Sequence, residues 1–436
     1  MEKGDPSGLA DQLLGLEGFR ITKAEVTETE LILTIETRAV GPVKCSRCEM
    51  PARAQGRYEV HYRDLPAFGV PTRLIWRRRR WHCVNPECAK RTWSEESEEM
   101  SSGTTLTKRA GMEITRQVGK NARSVEELAR EFGVSWDVAM NAVREFGAPM
   151  VAAPNRVGRV KGLGVDETSF LKATPDQGTQ YATGMVDLGR NRLIDLVAGN
   201  TAKDLRAWCE VQAPGWLGEI TTVATDLAES YRKGLSPYLD HAVRVADPFH
   251  VVRVANRTLD KVRRRVQQEQ LGHRGRKRDP LYRIRKLLLG GFERISDQAE
   301  QRILLGLRAG DPDGEVTAAW LAKESVRDIY ASEDAEEAAL LLDKTIAACA
   351  QDLVPEIRSL GSTLRSWRTE ILAHHLTGIS NGPTEGLNLL VKKIKRVGHG
   401  FHLFVNYRLR VLLHTGGVTW PQRPTPPLVV HPSTRF

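Results

Sequence analysis

The feature that most constrains the fold is a run of alternating strands and helices between residues 161 and 247. Three β-rich segments come first, at 164–168, 180–187 and 193–197, and the polar turn LGRNR at 188–192 predicts an antiparallel meander. A predicted helix at 202–212 then leads to a fourth strand at 220–226. A helix around Tyr231 leads to a fifth strand at 242–247, so strands four and five each end on an aspartate.

Three antiparallel strands followed by helix, strand, helix and strand is the strand order of the ribonuclease H-like fold. In that fold the first and fourth strands are neighbours, at the usual separation of about 4.8 Å. We therefore expect Asp166 and Asp226 to face one another although 60 residues separate them (226 minus 166). Glu167 follows Asp166 on the same strand, so its side chain is expected on the opposite face.

Two short cysteine pairs, CSRC and CVNPEC, predict a structural zinc site. Each pair can aim two thiolates at one point, and two pairs complete a tetrahedral sulfur shell. The alternative is four unrelated buried thiols. The other two of the six cysteines, Cys209 and Cys349, stand alone in apolar surroundings and are predicted to lie in the core. The proposed ligands of one structural zinc ion are Cys45, Cys48, Cys83 and Cys88.

Basic and aromatic residues alternate in the predicted strand RLIWRRRRW at 73–81, between the cysteine pairs. Such a strand can place guanidinium groups on DNA phosphates and rings on bases. The alternative is a solvated edge strand whose arginines oppose aggregation. The candidate DNA-binding residues of this strand are Arg77, Arg78, Arg79 and Arg80.

A helix-turn-helix is predicted after the acidic segment at 95–99. Ser124 with Glu127 forms a capping-box pattern, Gly133 can end the first helix in the left-handed conformation, and Ser135 can cap the second. The second helix of such a motif enters the major groove by its first residues, whereas an ordinary helical hairpin is the alternative. The candidate base contacts are Ser135, Trp136 and Asp137, and the candidate phosphate contacts are Lys108, Arg109 and Arg116.

The stretch SNGPTEGLNLLVKKIKRVGHGF at 380–401 predicts an amphipathic helix with one apolar stripe. Its other face carries one carboxylate, Glu385, among polar and basic residues. Taken alone, this face could be a solvated surface whose charges pair with one another. The remaining residues of the face are Asn388, Lys392, Lys395 and Arg396.

The ordered set of acidic motifs resembles the DDE transposases of bacterial insertion sequences, and the ISL-three group most closely. The motifs are VDE around Asp166, TDL around Asp226, ADPFH at 246–250 and the spaced residues Asn381, Glu385, Asn388 and Lys392. The likeness covers roughly residues 40 to 415. It also includes the zinc ribbon and the helix-turn-helix that precede the catalytic domain in that group.

The resemblance implies a metal triad of Asp166, Asp226 and Glu385. Cleaving and joining phosphodiesters are in-line displacements that two Mg²⁺ (or Mn²⁺) ions can stabilise, and these ions take oxygen ligands. The triad spacing of 159 residues (385 minus 226) requires an insertion, and residues 255–375 are predicted to be helical and basic. The predicted supporting residues are Asp247, His250, Asn381 and Asn388; a hydrogen-bonded core histidine is the alternative for His250.

Charge and hydropathy predict an anionic polymer as the partner. The 436 residues contain 64 Lys+Arg against 54 Asp+Glu, a net charge of +10. No apolar run approaches the ~20 residues needed to span a bilayer, and the first residues lack a signal-peptide pattern. We therefore expect a cytoplasmic, nucleoid-associated bacterial protein that binds double-stranded DNA, both terminal inverted repeats and target, as a homodimer without a membrane partner.

The sequence thus predicts a multidomain α/β transposase that cleaves DNA and transfers strands. The alternatives are an inactive DNA-binding regulator and a related nuclease or resolvase without strand transfer. The predicted domains are a zinc ribbon at 1–98, a helix-turn-helix domain at 99–155, a ribonuclease H-like domain at 156–255 and 376–418, a helical insertion at 256–375 and a Pro-rich tail at 419–436.

Overall fold

The computed structural model describes residues 14–38 and 41–422. Most of the predicted Pro-rich tail, from residue 423 onward, lies outside the described residues. Contacts divide the chain into two compact units, one formed by residues 1–156 with 393–436 and the other by residues 157–392. Within the described ranges, every helix is too short or too polar to cross a membrane.

A five-stranded sheet forms the N-terminal part of the first unit. Its order is β1-β2-β4-β3, with β5 paired to β4; β2 and β4 run parallel and the other neighbours antiparallel. Strand β4 therefore lies inside the sheet, so its arginines do not belong to the edge strand that one alternative proposed. The strands are β1 (Phe19–Val26), β2 (Leu31–Thr37), β3 (Ala52–Ala67), β4 (Val70–Cys83) and β5 (Thr92–Ser94).

Four helices complete the described part of the first unit, and three of them match the predicted helix-turn-helix region. Glycines let these helices approach closely: a Cβ at Gly147 would lie 2.8 Å from a methyl group of Leu413. Leu413 belongs to residues 393–418, which the sequence assigned to the second part of the catalytic domain and which the contacts group with the first unit. The helices are α1 (Lys108–Gly119), α2 (Val125–Phe132), α3 (Trp136–Ala152) and α15 (Phe404–Thr415).

The sheet of the second unit has the order β10-β9-β6-β7-β8. Strands β6, β7 and β8 form the predicted antiparallel meander, whereas β6 pairs with β9 and β9 with β10 in parallel. The first and fourth strands of this unit are therefore neighbours, as the sequence predicted. The strands are β6 (Gly162–Leu171), β7 (Gln180–Asp187), β8 (Arg192–Ala198), β9 (Thr222–Thr225) and β10 (Val243–Ala246).

Helices cover this sheet and form a separate core after β10. The core of the sheet region includes Val165, Leu205 and Tyr231. The core of the helical region extends to Ile371 and contains Trp320 and Trp367. The helices are α4 (Ala202–Glu210), α5 (Pro214–Gly218), α6 (Glu229–Leu239), α7 (Pro248–Leu271), α8 (Pro280–Ile284), a 3₁₀ turn (Phe292–Arg294), α9 (Asp297–Gly310), α10 (Glu315–Ala331), α11 (Ala335–Gln351), α12 (Pro355–Ser366), α13 (Arg368–Thr377) and α14 (Gly382–Val397).

Two of these helices position the candidate site. Helix α7 begins directly after β10 and continues for 24 residues, so the predicted domain boundary at 255/256 falls within it. Helix α14 returns the chain to the sheet, and its residues up to 392 belong to the second unit. Polar side chains at the start of both helices therefore meet the ends of β6 and β9.

Candidate active site

Asp166 and Asp226 are brought together by the parallel pairing of β6 and β9. Val165 is the partner of Thr225 in this ladder, and the two aspartates are the next residues of their chains. Ligand atoms of Asp166, Asp226 and His250 all lie within 4.8 Å of one another. The predicted aspartate pair is therefore present.

The carboxylate of Asp166 is buried and held from two sides. Its Oδ1 accepts a 2.7 Å hydrogen bond from the backbone N–H of Glu167, and its Oδ2 accepts a 2.6 Å hydrogen bond from Asn388 Nδ2. Burial, followed by the nearby charge of Asp226, raises the pKa of Asp166 to about 6. Burial and Asp226 thus disfavour the ionised form of Asp166 even though His250 and Arg253 favour it.

His250 links two acidic residues through its two ring nitrogens. Its Nδ1 lies 2.9 Å from Asp247 Oδ2, and its Nε2 lies 2.8 Å from Asp226 Oδ1. Burial by itself would lower the pKa of His250, but hydrogen bonds to Asp226 and Asp247 outweigh it and raise the pKa to about 9. The imidazole is therefore a cation among carboxylates. His250 is a buried, hydrogen-bonded histidine, as the alternative interpretation has it, and its supporting role stays a prediction.

Asp247 ties the start of α7 to the start of α14. Its Oδ1 accepts a 2.8 Å hydrogen bond from the backbone N–H of Asn381, while Asn381 Nδ2 donates to the carbonyl of Val165 at 3.2 Å. Burial would raise the pKa of Asp247, but the hydrogen bonds from His250 and Asn381 lower it. Asp247 is therefore an ionised structural anchor for the helix that carries Glu385.

Glu385 lies on the Asp247 side of the acidic cluster, whereas the predicted triad grouped it with Asp166 and Asp226. Its carboxylate forms a group with Asp247 and His250 in which all ligand atoms lie within 4.8 Å. Burial and then the charge of Asp247 raise the pKa of Glu385. The three predicted triad residues thus surround His250 in two overlapping groups, and His250 is the member common to both.

A close approach between α14 and β6 depends on Gly164. A Cβ at this position would collide with Thr384 Oγ1 and would lie 2.7 Å from Asn381 Oδ1. Both atoms are buried and belong to the first turn of α14 or the residue preceding it. The missing side chain therefore lets the Glu385 helix dock against the strand that carries Asp166.

The sequence-based prediction did not include Arg253, and it included Phe249 only as part of the ADPFH motif. Arg253 donates a 3.2 Å hydrogen bond to Asp226 Oδ2, and its guanidinium lies 5.8 Å from the ring centre of Phe249, which is exposed. The available signal was helical spacing, because Arg253 follows His250 by three residues on the same helix. Both residues place polar or aromatic groups beside the acidic cluster.

The four predicted zinc ligands form one cluster. Sulfur atoms lie 3.5 Å apart for Cys48 and Cys83 and 3.8 Å apart for Cys45 and Cys88. A tetrahedral zinc with bonds of about 2.3 Å separates its sulfur ligands by about 3.8 Å, so the spacing fits zinc. The backbone N–H of Arg47 lowers the pKa of Cys45 to about 7, which favours one thiolate. Cys209 and Cys349 are buried, as predicted.

The candidate DNA-binding arginines of β4 all have acceptors within the protein. Arg77 bonds Glu36 at 2.9 Å, and the buried Arg78 donates to the carbonyl of Glu95 at 2.5 Å. Arg79 donates to the carbonyl of Thr37 at 2.7 Å, and Arg80 donates to Thr92 Oγ1 at 3.2 Å. Of these four, Arg77 and Arg80 keep exposed side chains.

The predicted helix caps of the first unit are present. Ser124 Oγ accepts from the backbone N–H of Glu127, and Gly133 ends α2 in the left-handed conformation. The carboxylate of Glu127, however, binds Arg123. Ser135 caps α3 through the N–H of Val138 and, with Trp136 and Asp137, is exposed.

The candidate phosphate contacts differ in their surroundings. On α1, Arg109 forms an ion pair with the buried Asp64 and donates to the carbonyl of Leu14 at 2.6 Å, whereas Lys108 is exposed and Arg116 half-buried. On α14, Lys392 and Arg396 are exposed and Lys395 is half-buried.

The donor set of the acidic cluster fits a hard divalent cation. Four carboxylates converge on His250, and those of Asp166 and Glu385 have raised pKa values that a nearby cation would relieve. Mg²⁺ and Mn²⁺ prefer such oxygen donors. Each carboxylate oxygen of Asp166 that accepts one hydrogen bond retains a further acceptor direction.

Known proteins provide an independent comparison. A transposase family model matches residues 163–411, and the model of the zinc finger of transposases IS204, IS1001, IS1096 and IS1165 matches residues 41–88.

The transposase for insertion sequence element IS1557 of two Mycobacterium tuberculosis strains is 25% identical over 295 residues. That alignment covers 64% of this chain and 64% of those relatives. The transposase for IS1001 of Bordetella parapertussis is 23% identical over 400 residues, with 90% of this chain and 94% of the relative covered. Because the match at 163–411 includes more than half of the 436 residues, the chain belongs to the DDE transposases of the ISL-three group.

Proposed function

We propose that the protein binds the terminal inverted repeats of an insertion sequence and catalyses metal-dependent DNA cleavage and strand transfer. The observation that carries this proposal is the convergence of Asp166 and Asp226, from adjacent parallel strands, with Glu385 around His250. The IS1557 and IS1001 relatives are named as transposases, which agrees with this activity.

The finer fold assignment is a ribonuclease H-like catalytic domain. Its support is the sheet order β10-β9-β6-β7-β8, in which the first strand lies between the second and the fourth. The helices from α7 to α13 would form an insertion between the second and third acidic residues. This arrangement lets a carboxylate far along the chain reach the interior strands β6 and β9, beside which Asp166 and Asp226 lie.

In this proposal Asp166, Asp226 and Glu385 hold two Mg²⁺ or Mn²⁺ ions. When bound, such ions stabilise the attacking and leaving oxygens of an in-line phosphoryl displacement. Asn388 fixes the orientation of the Asp166 carboxylate, and Asp247 fixes both His250 and the start of α14. The protein therefore supplies carboxylates that are already oriented, which reduces reorganisation at the moment of reaction.

The cations of the site orient the second aspartate. His250 Nε2 and Arg253 approach different oxygens of Asp226, at 2.8 Å and 3.2 Å. Because His250 is held by Asp247 on its other nitrogen, its ring orientation is set by the protein. Arg253 is more exposed than His250, so its guanidinium can also face a DNA phosphate.

DNA binding is assigned to the first unit and to the basic face of α14. A zinc ion held by the four cysteines would stabilise the module that contains β3 and β4. The exposed start of α3 would contact base edges in the major groove, as in a helix-turn-helix. Lys392 and Arg396 would contact phosphates beside the active site. The order of the domains is proposed as the sequence predicted it.

Joining two transposon ends to one target requires both ends to be held together. A homodimer or a larger assembly on double-stranded DNA is therefore proposed. Its place of action would be the bacterial cytoplasm at the nucleoid, where the DNA substrate lies.

The proposal can be tested with the purified protein and duplexes that carry the DNA ends flanking its own gene. Wild-type protein is expected to nick these ends only when Mg²⁺ or Mn²⁺ is added, and to join pre-cleaved ends to a target plasmid. Asp226→Asn serves as the inactive control. Binding without metal-dependent nicking would indicate a DNA-binding regulator, and nicking without joining would indicate a nuclease or resolvase.

A further inference from the structure

The turn between β3 and β4 has a residue that its backbone conformation disfavours. Ala67 pairs with Val70, so Phe68 and Gly69 form a two-residue hairpin turn, and their φ angles are 53° and 79°. Positive φ at both positions is typical of a type I′ turn, which favours Asn-Gly or Asp-Gly. A large aromatic side chain at the first position is therefore strained.

The apolar side chain of the same residue is also exposed to water, which is unfavourable. Phe68 is 93% exposed, the highest value among the large exposed hydrophobic residues of the described chain. The segment LPAFGVP at 65–71 contains no charged residue, so the tip is an apolar protrusion. Strain and exposure both oppose folding stability, and together they indicate that Phe68 has a role other than stabilising the fold.

The hairpin tip lies close to the turn that leads into α3. A Cβ at Gly133, the residue that ends α2, would lie 3.1 Å from Pro71 Cβ and 3.3 Å from Arg63 Cζ. Two residues later Ser135 caps α3, and its first residue, Trp136, is 41% exposed. The strand residues directly below the apolar turn are thus in contact with the turn that precedes the part of the helical motif that would reach DNA.

The base of the hairpin tip is basic. Arg63 and Arg73, which are cross-strand partners, both pair with the single carboxylate of Glu30, at 2.7 Å and 2.5 Å. This group of three side chains therefore carries one net positive charge (two minus one). An apolar end on a cationic base suits a nucleic-acid groove, where phosphates flank stacked bases.

We propose that the β3–β4 hairpin enters the DNA groove beside the α3 contact and that Phe68 wedges against a base step there. Apolar side chains that insert between base pairs unstack them and kink the duplex. The partner is double-stranded DNA at the transposon end, so the inference rests on the proposed function. It adds a second, shape-dependent contact that the helix-turn-helix does not provide.

The test compares full-length wild-type protein with Phe68→Asn on the duplex that carries the DNA end flanking the gene. Asn tolerates positive φ, so the turn is preserved, and circular dichroism with thermal unfolding checks the fold. We expect Phe68→Asn to bind this duplex about tenfold more weakly, as for loss of one base–aromatic stack. Permanganate is expected to modify an unstacked thymine in the wild-type complex but not in the variant complex.

Two control variants define the outcome. Phe68→Trp is expected to retain the permanganate signal, and Leu353→Asn, which changes another highly exposed apolar residue in the second unit, should leave binding unchanged. Equal affinity and equal permanganate reactivity for wild type and Phe68→Asn would overturn this inference alone. A lower oligomer mass of Phe68→Asn with unchanged DNA binding would assign the tip to a second copy of the chain and would also overturn it. Wild-type protein that binds no end duplex would overturn the proposed function and this inference together.

Discussion

Asn388 Nδ2 donates a 2.6 Å hydrogen bond to Asp166 Oδ2, although 222 residues separate them in the chain. Asn388 lies one helical turn after Glu385 on α14, and Asp166 lies on β6. The contact therefore ties the helix of the third acidic residue to the strand of the first. A buried side-chain donor to a carboxylate also fixes which oxygen directions remain for a cation.

Replacing Asn388 with Leu should lower DNA cleavage by about 10- to 100-fold while DNA binding changes little, as expected when a group that orients a metal ligand is lost. The measurement is the nicking rate as a function of Mn²⁺ concentration. Higher Mn²⁺ should recover part of the loss, because a misoriented ligand weakens metal affinity. Gly386→Ala, on the same helix with open space around its Cα, is the matched control. A loss that is independent of Mn²⁺ would contradict the orienting role.

Glu385→Gln should abolish cleavage and joining, whereas Glu167→Gln should retain measurable activity. The carboxylate of Glu167 is on the other face of β6, where Asn200 Nδ2 at 2.8 Å and the Tyr231 hydroxyl at 3.3 Å donate to it. Both variants should bind the transposon end, since DNA affinity is assigned elsewhere. Gel-shift and nicking assays on the same preparations separate the two effects. Near wild-type cleavage by Glu385→Gln would show that Glu385 is not required and that α14 is an ordinary amphipathic surface helix.

Asp166→Asn should stabilise the protein without added divalent metal, by up to about 3 kcal/mol at pH 7.5. Folding raises the pKa of Asp166 from 3.8 to about 6, so the folded state binds this proton more tightly than the unfolded state does. The proton-linked stability is present below the unfolded pKa and is lost as pH rises through about 6. The gain from the substitution should therefore shrink as pH falls from 6 towards 4. Urea unfolding at pH 7.5 and 4.5 measures it; an equal gain at both pH values would exclude this cause.

Cys45→Ser should release zinc and weaken binding to the transposon end. Structural zinc binding is coupled to folding, so the module containing β3 and β4 should also unfold at a lower temperature. Metal analysis should find one zinc per wild-type chain and less than one in the variant. Cys349→Ser changes a buried cysteine of the second unit that is not a member of the cluster and should keep the zinc. Wild-type protein purified without chelator and lacking zinc would refute the assignment.

Substitutions at the start of α3 should reduce the sequence specificity of DNA binding, whereas substitutions on α14 should reduce its affinity for any sequence. Changing Trp136 and Asp137 to Ala should reduce discrimination between the terminal repeat and random DNA by about tenfold, in line with the loss of one base-pair contact. Lys392→Ala should weaken binding to both DNAs and lower the salt slope by about one. Lys344→Ala removes an exposed lysine of α11 as a control. Identical losses on both DNAs for the two kinds of variant would show that these roles are misassigned.

Several parts of this protein could be predicted because their signals are local. The caps of α2 and α3 follow from Ser124, Gly133 and Ser135, since a side-chain oxygen or a left-handed glycine acts within one turn. The zinc cluster follows from two cysteine pairs whose short loops already aim the sulfurs together. The pairing of β6 with β9 follows from strand order and placed Asp166 beside Asp226 as expected.

The sequence by itself thus determined the order of strands and helices, the grouping of the four cysteines and the pairing of Asp166 with Asp226. Only the tertiary structure decided that Glu385 joins Asp247 and His250, that Arg253 reaches Asp226 and that Arg78 is buried rather than exposed. Periodicity specifies which face of a helix is polar. It does not specify which distant segment of the chain that face contacts in the folded protein. That contact depends on the docking of α14 against Gly164, and no sequence pattern links the residues on its two sides.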